Sequence, residues 1–256
     1  MNKIINAFKE KKIFIPFLTA GYPDYDKFVD IVKMFDKIGA GVVEIGIPFS
    51  DPLADGRIIQ NSSQAVLDKG INIDIILDLV KKIRQDCSVP IVFMTYYNLV
   101  LNRGIEKFVN DAVDAGVDGI IVPDLPPEEA EDLLKQAENK LAVTFLVSTI
   151  SRQDRIKYIA DKTTGFIYYI ARLGVTGEGV TELDVLKQKV EDLKNIIDKP
   201  VGIGFGVSGK DGAQAIYEFA DGVIVGSAII DFINKNIDDN DLIEKLEEYC
   251  RQFIIS

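Results

Sequence analysis

The sequence predicts an α/β fold of the (β/α)8 TIM-barrel class, and three observations support this prediction. Short apolar runs alternate with longer amphipathic segments along the whole chain. Most runs are nearly continuous Val, Ile, Leu and Phe, as expected of parallel strands that are buried on both faces. The chain has 256 residues, of which 47% are hydrophobic, and this is enough for one barrel and its core. An open doubly wound sheet is the alternative, but such a sheet rarely needs eight parallel strands.

Eight apolar runs are predicted as strands, and the segments between them as helices. The predicted strands cover residues 13–19, 41–47, 89–96, 118–122, 141–147, 165–171, 200–204 and 222–225. The predicted helices cover residues 24–38, 73–86, 104–115, 127–139, 153–161, 182–198, 210–219 and 242–253, with an extra N-terminal helix over 2–11. No linker or change of composition divides the chain, so residues 1–256 are expected to form a single domain.

The composition excludes several kinds of chemistry. The chain has no histidine, which excludes imidazole acid–base catalysis, histidine-activated nucleophiles and histidine-ligated zinc. Its carboxylates are not clustered at ligand spacing, so no metal is expected. The 29 basic and 40 acidic residues give a net charge of −11, which disfavours a nucleic-acid partner. One small anion can still be bound by backbone N–H groups at the start of a helix.

The cysteines and the N-terminus lead us to expect a cytoplasmic protein. Cys87 and Cys250 are far apart and form no C-x-x-C motif, so both are expected to be reduced. The first residues lack the apolar region of a signal peptide. The longest uncharged stretch, residues 87–102, is interrupted by Pro90 and Asn98, so no membrane span is expected.

The first candidate site residues lie in and after the second predicted strand. Glu44 lies inside an apolar run, where a charged residue is out of place unless it faces a polar cavity. Asp51 and Asp55 follow it in a loop. Reactive side chains of barrels lie at the C-terminal ends of strands, so Glu44 is a candidate general acid whose pKa is raised by desolvation. A more solvated loop carboxylate could accept an N–H. Alternatively, Glu44 is a structural ion-pair partner and the aspartates form turns.

Glycine-rich segments follow three of the later predicted strands. The sequences GIGFGVS at 202–208 and GVIVGSA at 222–228 lie where barrels often bind phosphate, and Ser227 is predicted to be a helix N-cap. The sequence GVTGEG at 174–179 is interpreted as a lid. The alternatives are ordinary glycine turns and an ordinary flexible connection. Phe17 and Tyr168 are candidates for an aromatic wall, although aromatic residues in strands usually belong to the core.

The loop PFSDPLADG at 48–56, followed by IQN at 59–61, resembles the signature of the tryptophan synthase alpha chain family. Further matches are PFLTAGYP at 16–23, GVTG at 174–177, GFG at 204–206 and GSAI at 226–229, so the resemblance covers essentially the whole chain. It implies a lyase that cleaves indole-3-glycerol phosphate to indole and glyceraldehyde 3-phosphate by a retro-aldol reaction, the alpha step of L-tryptophan biosynthesis. It also implies no cofactor on this chain and an α2β2 complex with a beta chain, which holds pyridoxal phosphate (PLP) and consumes the indole.

The resemblance also assigns roles to individual residues. It implies catalytic roles for Glu44 and Asp55 and an indole pocket at Phe17 and Tyr168. It implies phosphate binding at Gly177, Gly206, Gly226 and Ser227. It also implies that Asp51 and Thr176 couple the loop to the lid, and that Pro52, Asn98 and Asn102 lie at the partner interface. The sequence departs from the family at Arg57, where many relatives have proline, and at Leu173, where a smaller residue is frequent. These departures bear on loop stiffness and closure, and neither concerns the two carboxyl groups.

Two other functions remain open from the sequence alone. The chain could act chiefly as an activating partner of the beta chain, with weak activity by itself. It could also be a different phosphate-binding barrel of tryptophan biosynthesis, although such an enzyme is not expected to share the 48–56 loop. An assay of indole release, with and without a beta chain, separates these functions.

Overall fold

The strands of the chain run parallel in one sheet. The computed structural model describes residues 2–9, 12–171, 182–204, 207 and 209–255. Its strands are β1 (Ile13–Thr19), β2 (Val43–Gly46), β3 (Ile91–Met94), β4 (Gly119–Ile121), β5 (Ala142–Thr144), β6 (Leu146–Ser148), β7 (Ile167–Ile170), β8 (Val201–Gly204) and β9 (Gly222–Val225).

The order of the strands closes the sheet into a barrel. They follow one another as β5-β4-β3-β2-β1-β9-β8-β7-β6, and every pairing is parallel. The two strands at the ends of this order, β5 and β6, are separated along the chain by Phe145 alone. The backbone carbonyl of Phe145 accepts a hydrogen bond from the N–H of Tyr168 at 3.1 Å. The TIM-barrel prediction is therefore confirmed.

Twelve helices lie in the described residues and surround the barrel. They are α1 (Lys3–Ala7), α2 (Tyr25–Ile38), α3 (Arg57–Leu67), α4 (Ile73–Arg84), α5 (Tyr97–Arg103), α6 (Ile105–Ala115), α7 (Glu131–Ala137), α8 (Gln153–Lys162), α9 (Glu182–Lys194), α10 (Lys210–Tyr217), α11 (Ser227–Lys235) and α12 (Leu242–Arg251). None of the helices in this part of the chain is both long and apolar enough to cross a membrane.

Helix α2 shows why the outer helices form where the sequence predicts them. Its first turn is capped by Asp24, whose side chain accepts a hydrogen bond from the N–H of Lys27 at 2.8 Å. The helix is terminated by its C-cap, Gly39, which adopts the left-handed conformation with φ 89°. The buried face includes Phe28, Ile31, Val32, Phe35 and Ile38, which recur at helical spacing in the sequence.

The predicted number of elements was wrong in two respects. The predicted strand 141–147 is two strands, β5 and β6, because the ladder is interrupted at Phe145. Helices α3 and α5 were not predicted, and for α11 only a helix start at Ser227 was predicted, without a range. Helix α3 lacks a strong apolar signal because its buried positions include Ser62 and Ser63, and α5 buries only Val100. The predicted N-terminal helix 2–11 is shorter in the structure and covers Lys3–Ala7.

A partly buried ion pair ties together the segments at the N-terminal ends of the strands. Arg84 and Asp118, with side chains only 15% and 11% exposed, form a salt bridge of 2.6 Å. Arg84 also donates hydrogen bonds to the carbonyls of Gly116 and Val89, at 2.8 and 2.6 Å. Asp118 accepts a hydrogen bond from the N–H of Ile91 at 3.0 Å. The pair therefore holds the end of α4, the end of α6 and the start of β3 in register, at the end of the barrel opposite the strand C-termini.

Replacing Asp118 with alanine should reduce the free energy of unfolding by about 2–4 kcal/mol, because a buried guanidinium and a backbone N–H then lose their acceptor. Urea unfolding followed by far-UV circular dichroism measures the change. The matched control is Asp78→Ala, since Asp78 is 76% exposed and forms a salt bridge of 3.1 Å with Lys81. This control should lose less than about 0.5 kcal/mol. Equal losses in the two variants would contradict the structural role of the Arg84–Asp118 pair.

Candidate functional site

A cavity of about 600 Å³ opens at the C-terminal ends of the strands. It is lined by residues of β1, β2, β3, β7, β8 and β9, of the loop after β2 and of helix α11. The residues around it are Phe17, Glu44, Ala54, Asp55, Gly56, Ile58, Ile59, Met94, Tyr168, Ala171, Gly204, Val207, Ile224, Gly226, Ser227, Ala228, Asp231, Lys235 and Tyr249. This is the end of a barrel at which active sites are found.

Glu44 is a buried carboxyl group on the cavity wall. It lies in β2, paired in register with Phe17 of β1 and Val92 of β3, and only 1% of it is exposed. Neither of its carboxylate oxygens has a hydrogen-bond partner among the described residues. Burial, together with the negative charge of Asp55, raises the pKa of Glu44 to about 8. The alternative interpretation of Glu44 as a structural ion-pair partner therefore has no support in the described residues.

Asp55 lies in the loop between β2 and α3 and is held by Tyr96. The Tyr96 hydroxyl donates a hydrogen bond to Oδ2 of Asp55 at 3.1 Å and accepts one from the N–H of Ala54 at 3.0 Å. The ring of Phe49 stacks on the Tyr96 ring, with centroids 5.1 Å apart. Burial raises the pKa of Asp55, and the hydrogen bond from Tyr96 opposes part of this rise. Tyr96 therefore fastens both ends of the loop and orients its carboxylate.

Tyr96 is a site residue that the sequence analysis missed. It lies two residues after the end of the buried strand β3, within the apolar run that was predicted as a strand. Its polar hydroxyl at a strand C-terminus is the signal that could have identified it, since such positions carry the reactive groups of barrels.

Two aromatic rings form an apolar wall, and glycines leave room for them. A Cβ atom at Gly46 would lie 2.5 Å from Cζ of Phe17, and one at Gly226 would lie 3.1 Å from Cβ of Phe17. A Cβ atom at Gly204 would lie 2.5 Å from Cε1 of Tyr168. Burial raises the pKa of the Tyr168 hydroxyl well above its usual value, so this group stays neutral. The late glycines therefore shape the aromatic wall as well as the backbone.

The start of helix α11 forms another side of the cavity. Gly226 and Ser227 both line the cavity, as predicted for an anion site. The prediction that Ser227 caps this helix was wrong, because Gly226 is the N-cap and Ser227 is the first helical residue. The first N–H groups of a helix have no acceptor within the helix, and its dipole favours a negative charge there. This end of the cavity is therefore suited to an anion such as a phosphate.

Other predicted site residues lie outside the cavity or outside the described residues. Asp51 is exposed, and its Oδ2 accepts a hydrogen bond from the Ser50 hydroxyl at 2.6 Å. Asn98 accepts a hydrogen bond from Asn102 at 2.8 Å on the exposed side of α5. Pro52 is half-buried in the loop after β2. Thr176, Gly177 and Gly206, together with the departure at Leu173, lie outside the described residues.

The described cysteines and acidic residues form neither a reactive thiol nor a metal site. Cys87 and Cys250 are both buried and free. Burial, together with Asp36, raises the pKa of the Cys87 thiol to about 11, so it is a poor nucleophile at neutral pH. Among the residues that the structure describes, no group of three or more His, Cys, Asp or Glu could hold a metal ion.

Comparison with known proteins gives one consistent result. A sequence model of the family described as "Tryptophan synthase alpha chain" matches residues 5–254. The chain is 38% identical over 253 residues to the tryptophan synthase alpha chain of Petrotoga mobilis, covering 98% of each chain. The crystal structure of tryptophan synthase subunit alpha from Legionella pneumophila superimposes with a TM-score of 0.90 at 32% identity, covering 99% of this chain and 97% of that one. A chain of the tryptophan synthase a2b2 complex of Pyrococcus furiosus gives a TM-score of 0.84 at 35% identity, covering 95% and 98%.

The raised pKa of Glu44 predicts a characteristic dependence of stability on pH. In the unfolded chain this carboxyl ionises near its ordinary value of 4.5, whereas in the folded protein it ionises at about 8. Between these values the folded state holds a proton that the unfolded state has lost. The stability of the wild type should therefore fall relative to Glu44→Gln as the pH rises from 4.5 to 8, by at most about 1.4 kcal/mol per pH unit.

Urea unfolding of the wild type and Glu44→Gln at pH 5, 6, 7 and 8.5 measures this difference. The variant carries a neutral amide at every pH, so subtracting the two curves isolates the contribution of this single group. A difference that stays constant from pH 5 to 8.5 would show that Glu44 is ionised in the folded protein.

Proposed function

The chain belongs to the tryptophan synthase alpha chain family, and we propose that Glu44 and Asp55 carry out the chemistry of the family's reaction. The enzyme cleaves indole-3-glycerol phosphate to indole and glyceraldehyde 3-phosphate, the alpha step of L-tryptophan biosynthesis. Its partner is the tryptophan synthase beta chain in an α2β2 complex, and PLP belongs to the beta chain, since the alpha reaction needs no cofactor.

The observation that carries the proposed roles is the unpartnered, buried carboxyl of Glu44 on the cavity wall. With a pKa of about 8, this group is largely protonated at neutral pH and can donate a proton. No histidine is present to take its place. A general acid must reach the reacting atom, and a carboxyl without a hydrogen-bond partner is free to bond to substrate.

The proposed reaction begins with a proton transfer from Glu44 to C3 of the indole ring. The ring then carries a positive charge, which Asp55 stabilises by accepting a hydrogen bond from the ring N–H. The side-chain hydroxyl next gives its proton to the Glu44 carboxylate, and the bond between C3 and the side chain breaks. The electrons of the O–H bond form the aldehyde, and those of the broken bond return to the ring. Glu44 ends the cycle protonated, as it began.

The cavity offers a suitable surface to each part of this substrate. Phe17 and Tyr168 offer apolar surface to the indole ring. Gly226 and Ser227, at the start of α11, offer backbone N–H groups to the phosphate. Glu44 and Asp55 also line the cavity, so the scissile bond would be placed against the two carboxyl groups.

We also propose that the chain works in the cytoplasm, as a single domain over residues 1–256. The two free, buried thiols support a reducing compartment. The single sheet, in which all nine described strands are paired, supports one domain.

Replacing Glu44 with glutamine should reduce the turnover number for indole-3-glycerol phosphate cleavage by about 10²- to 10⁴-fold, because positioned acid–base catalysis contributes that much. Binding of the phosphate end should be retained, since Glu44 does not lie at the helix start. Indole release measures turnover, and calorimetric titration with inorganic phosphate measures binding. Normal turnover in Glu44→Gln would exclude Glu44 as the proton donor.

Replacing Tyr96 with phenylalanine should reduce turnover about 10-fold, which is the scale of one hydrogen bond to a charged group. Because this hydrogen bond lowers the pKa of Asp55, its loss should also move the acidic limb of the kcat/KM profile to higher pH. The adjacent Tyr97→Phe is the control and should change neither quantity. An unshifted acidic limb in Tyr96→Phe would mean that the hydroxyl does not act on Asp55.

A further inference from the structure

The charges around the cavity are poorly matched to a phosphorylated substrate. Among the described residues that line it, three are acidic, namely Glu44, Asp55 and Asp231, and the single basic residue is Lys235. The whole chain carries a net charge of −11. Glu44 is protonated at neutral pH, so a phosphate dianion that enters this cavity is repelled by the carboxylates of Asp55 and Asp231 and by the protein as a whole, unless a positive charge offsets them.

Lys235 lies on the face of helix α11 that borders the cavity. Ser227, Asp231 and Lys235 are four residues apart, so they follow one another along one face of the helix. Side chains on a helix point back toward its N-terminus. In agreement with this tendency, Nζ of Lys235 lies 2.6 Å from Oδ2 of Asp231. The ammonium group therefore lies about one turn from the start of the helix, although its own Cα is about two turns away.

We propose that Lys235 is a specificity-determining residue that strengthens binding of the phosphorylated substrate. Its ammonium offsets the charge of Asp231 and attracts the phosphate toward the N–H groups at the start of α11. Asp231 has the opposite effect on the phosphate, but it holds the ammonium against the helix. This inference rests on the proposed function for the position of the phosphate, and it adds a side chain to an anion site otherwise built from glycines and Ser227.

Two substitutions that break the same ion pair test the proposal. Lys235→Gln removes the positive charge and leaves Asp231 uncompensated, so KM should rise about three- to fivefold, with kcat unchanged. Asp231→Asn removes the negative charge and leaves Lys235, so KM should fall. A purely structural role of the pair in α11 would move both variants in the same direction, and that result would overturn the proposal.

The matched control is Lys245→Gln. Lys245 forms an ion pair of the same i,i+4 type with Asp241, at 3.0 Å, but it lies in α12 and does not line the cavity. This control makes the same change in net charge as Lys235→Gln and should leave KM unchanged. The rise in KM of Lys235→Gln should also shrink at about 1 M salt, where the Debye length is about 3 Å. A KM of Lys235→Gln equal to that of Lys245→Gln would overturn the proposal.

Calorimetric titration with inorganic phosphate separates this inference from the proposed function. Wild-type protein that binds phosphate but releases no indole would contradict the proposed function alone. In that case, weaker phosphate binding in Lys235→Gln and tighter binding in Asp231→Asn would still support the role of Lys235. Phosphate affinities that are the same in both variants and in Lys245→Gln would contradict the inference alone. Inhibition by indole, which carries no charge, should be the same in all these proteins and shows that the cavity is intact.

Discussion

The burial of Glu44 is the constraint on which the proposed catalytic site depends. Among the described residues, neither carboxylate oxygen of this β2 side chain has a hydrogen-bond partner, so the group costs stability whenever it ionises. The barrel tolerates this group because it stays protonated at neutral pH, and the same property suits it to donate a proton. Asp55 adds to the effect, since its charge disfavours a second negative charge in the cavity. The cost to folding and the competence for catalysis therefore have one cause.

The carboxyl groups of Glu44 and Asp55 have different surroundings in the cavity. Glu44 is fixed by a strand and isolated, whereas Asp55 lies in a loop and receives a hydrogen bond from Tyr96. A donated hydrogen bond favours the charged form, so Asp55 is better suited to stabilise a cation than to donate a proton. The stacking of Phe49 on Tyr96 joins the start of the loop to the same anchor. The strand that carries Glu44 and the loop that carries Asp55 thus suit two similar side chains to the different roles proposed for them.

Two glycines at strand ends, Gly204 and Gly226, lie beside the aromatic wall, and Gly226 also begins the helix proposed to bind the anion. Gly204 leaves space for the Tyr168 ring, and Gly226 leaves space for Phe17 while also starting helix α11. A side chain at either position would disturb the apolar wall as well as the backbone. The ion pair of Asp231 and Lys235 lies further along α11, about one turn from the proposed anion site at the start of the helix. The aromatic rings, the two carboxyl groups and the start of α11 therefore meet in one cavity because neighbouring strands end at the same rim.

Apolar periodicity and capping residues act locally, so the barrel, the strand that carries Glu44 and the buried face of α2 could all be predicted from the sequence. The sequence also excluded imidazole as the proton-transfer group, because histidine is absent. The sequence did not reveal α3, whose buried Ser62 forms a hydrogen bond with Thr19 of β1. Nor did it reveal the hydrogen bond from Tyr96 to Asp55. The folded chain alone shows that Glu44 has no hydrogen-bond partner among the described residues and that Asp231 and Lys235 line the cavity. These properties depend on residues distant in the chain that the closed barrel brings together.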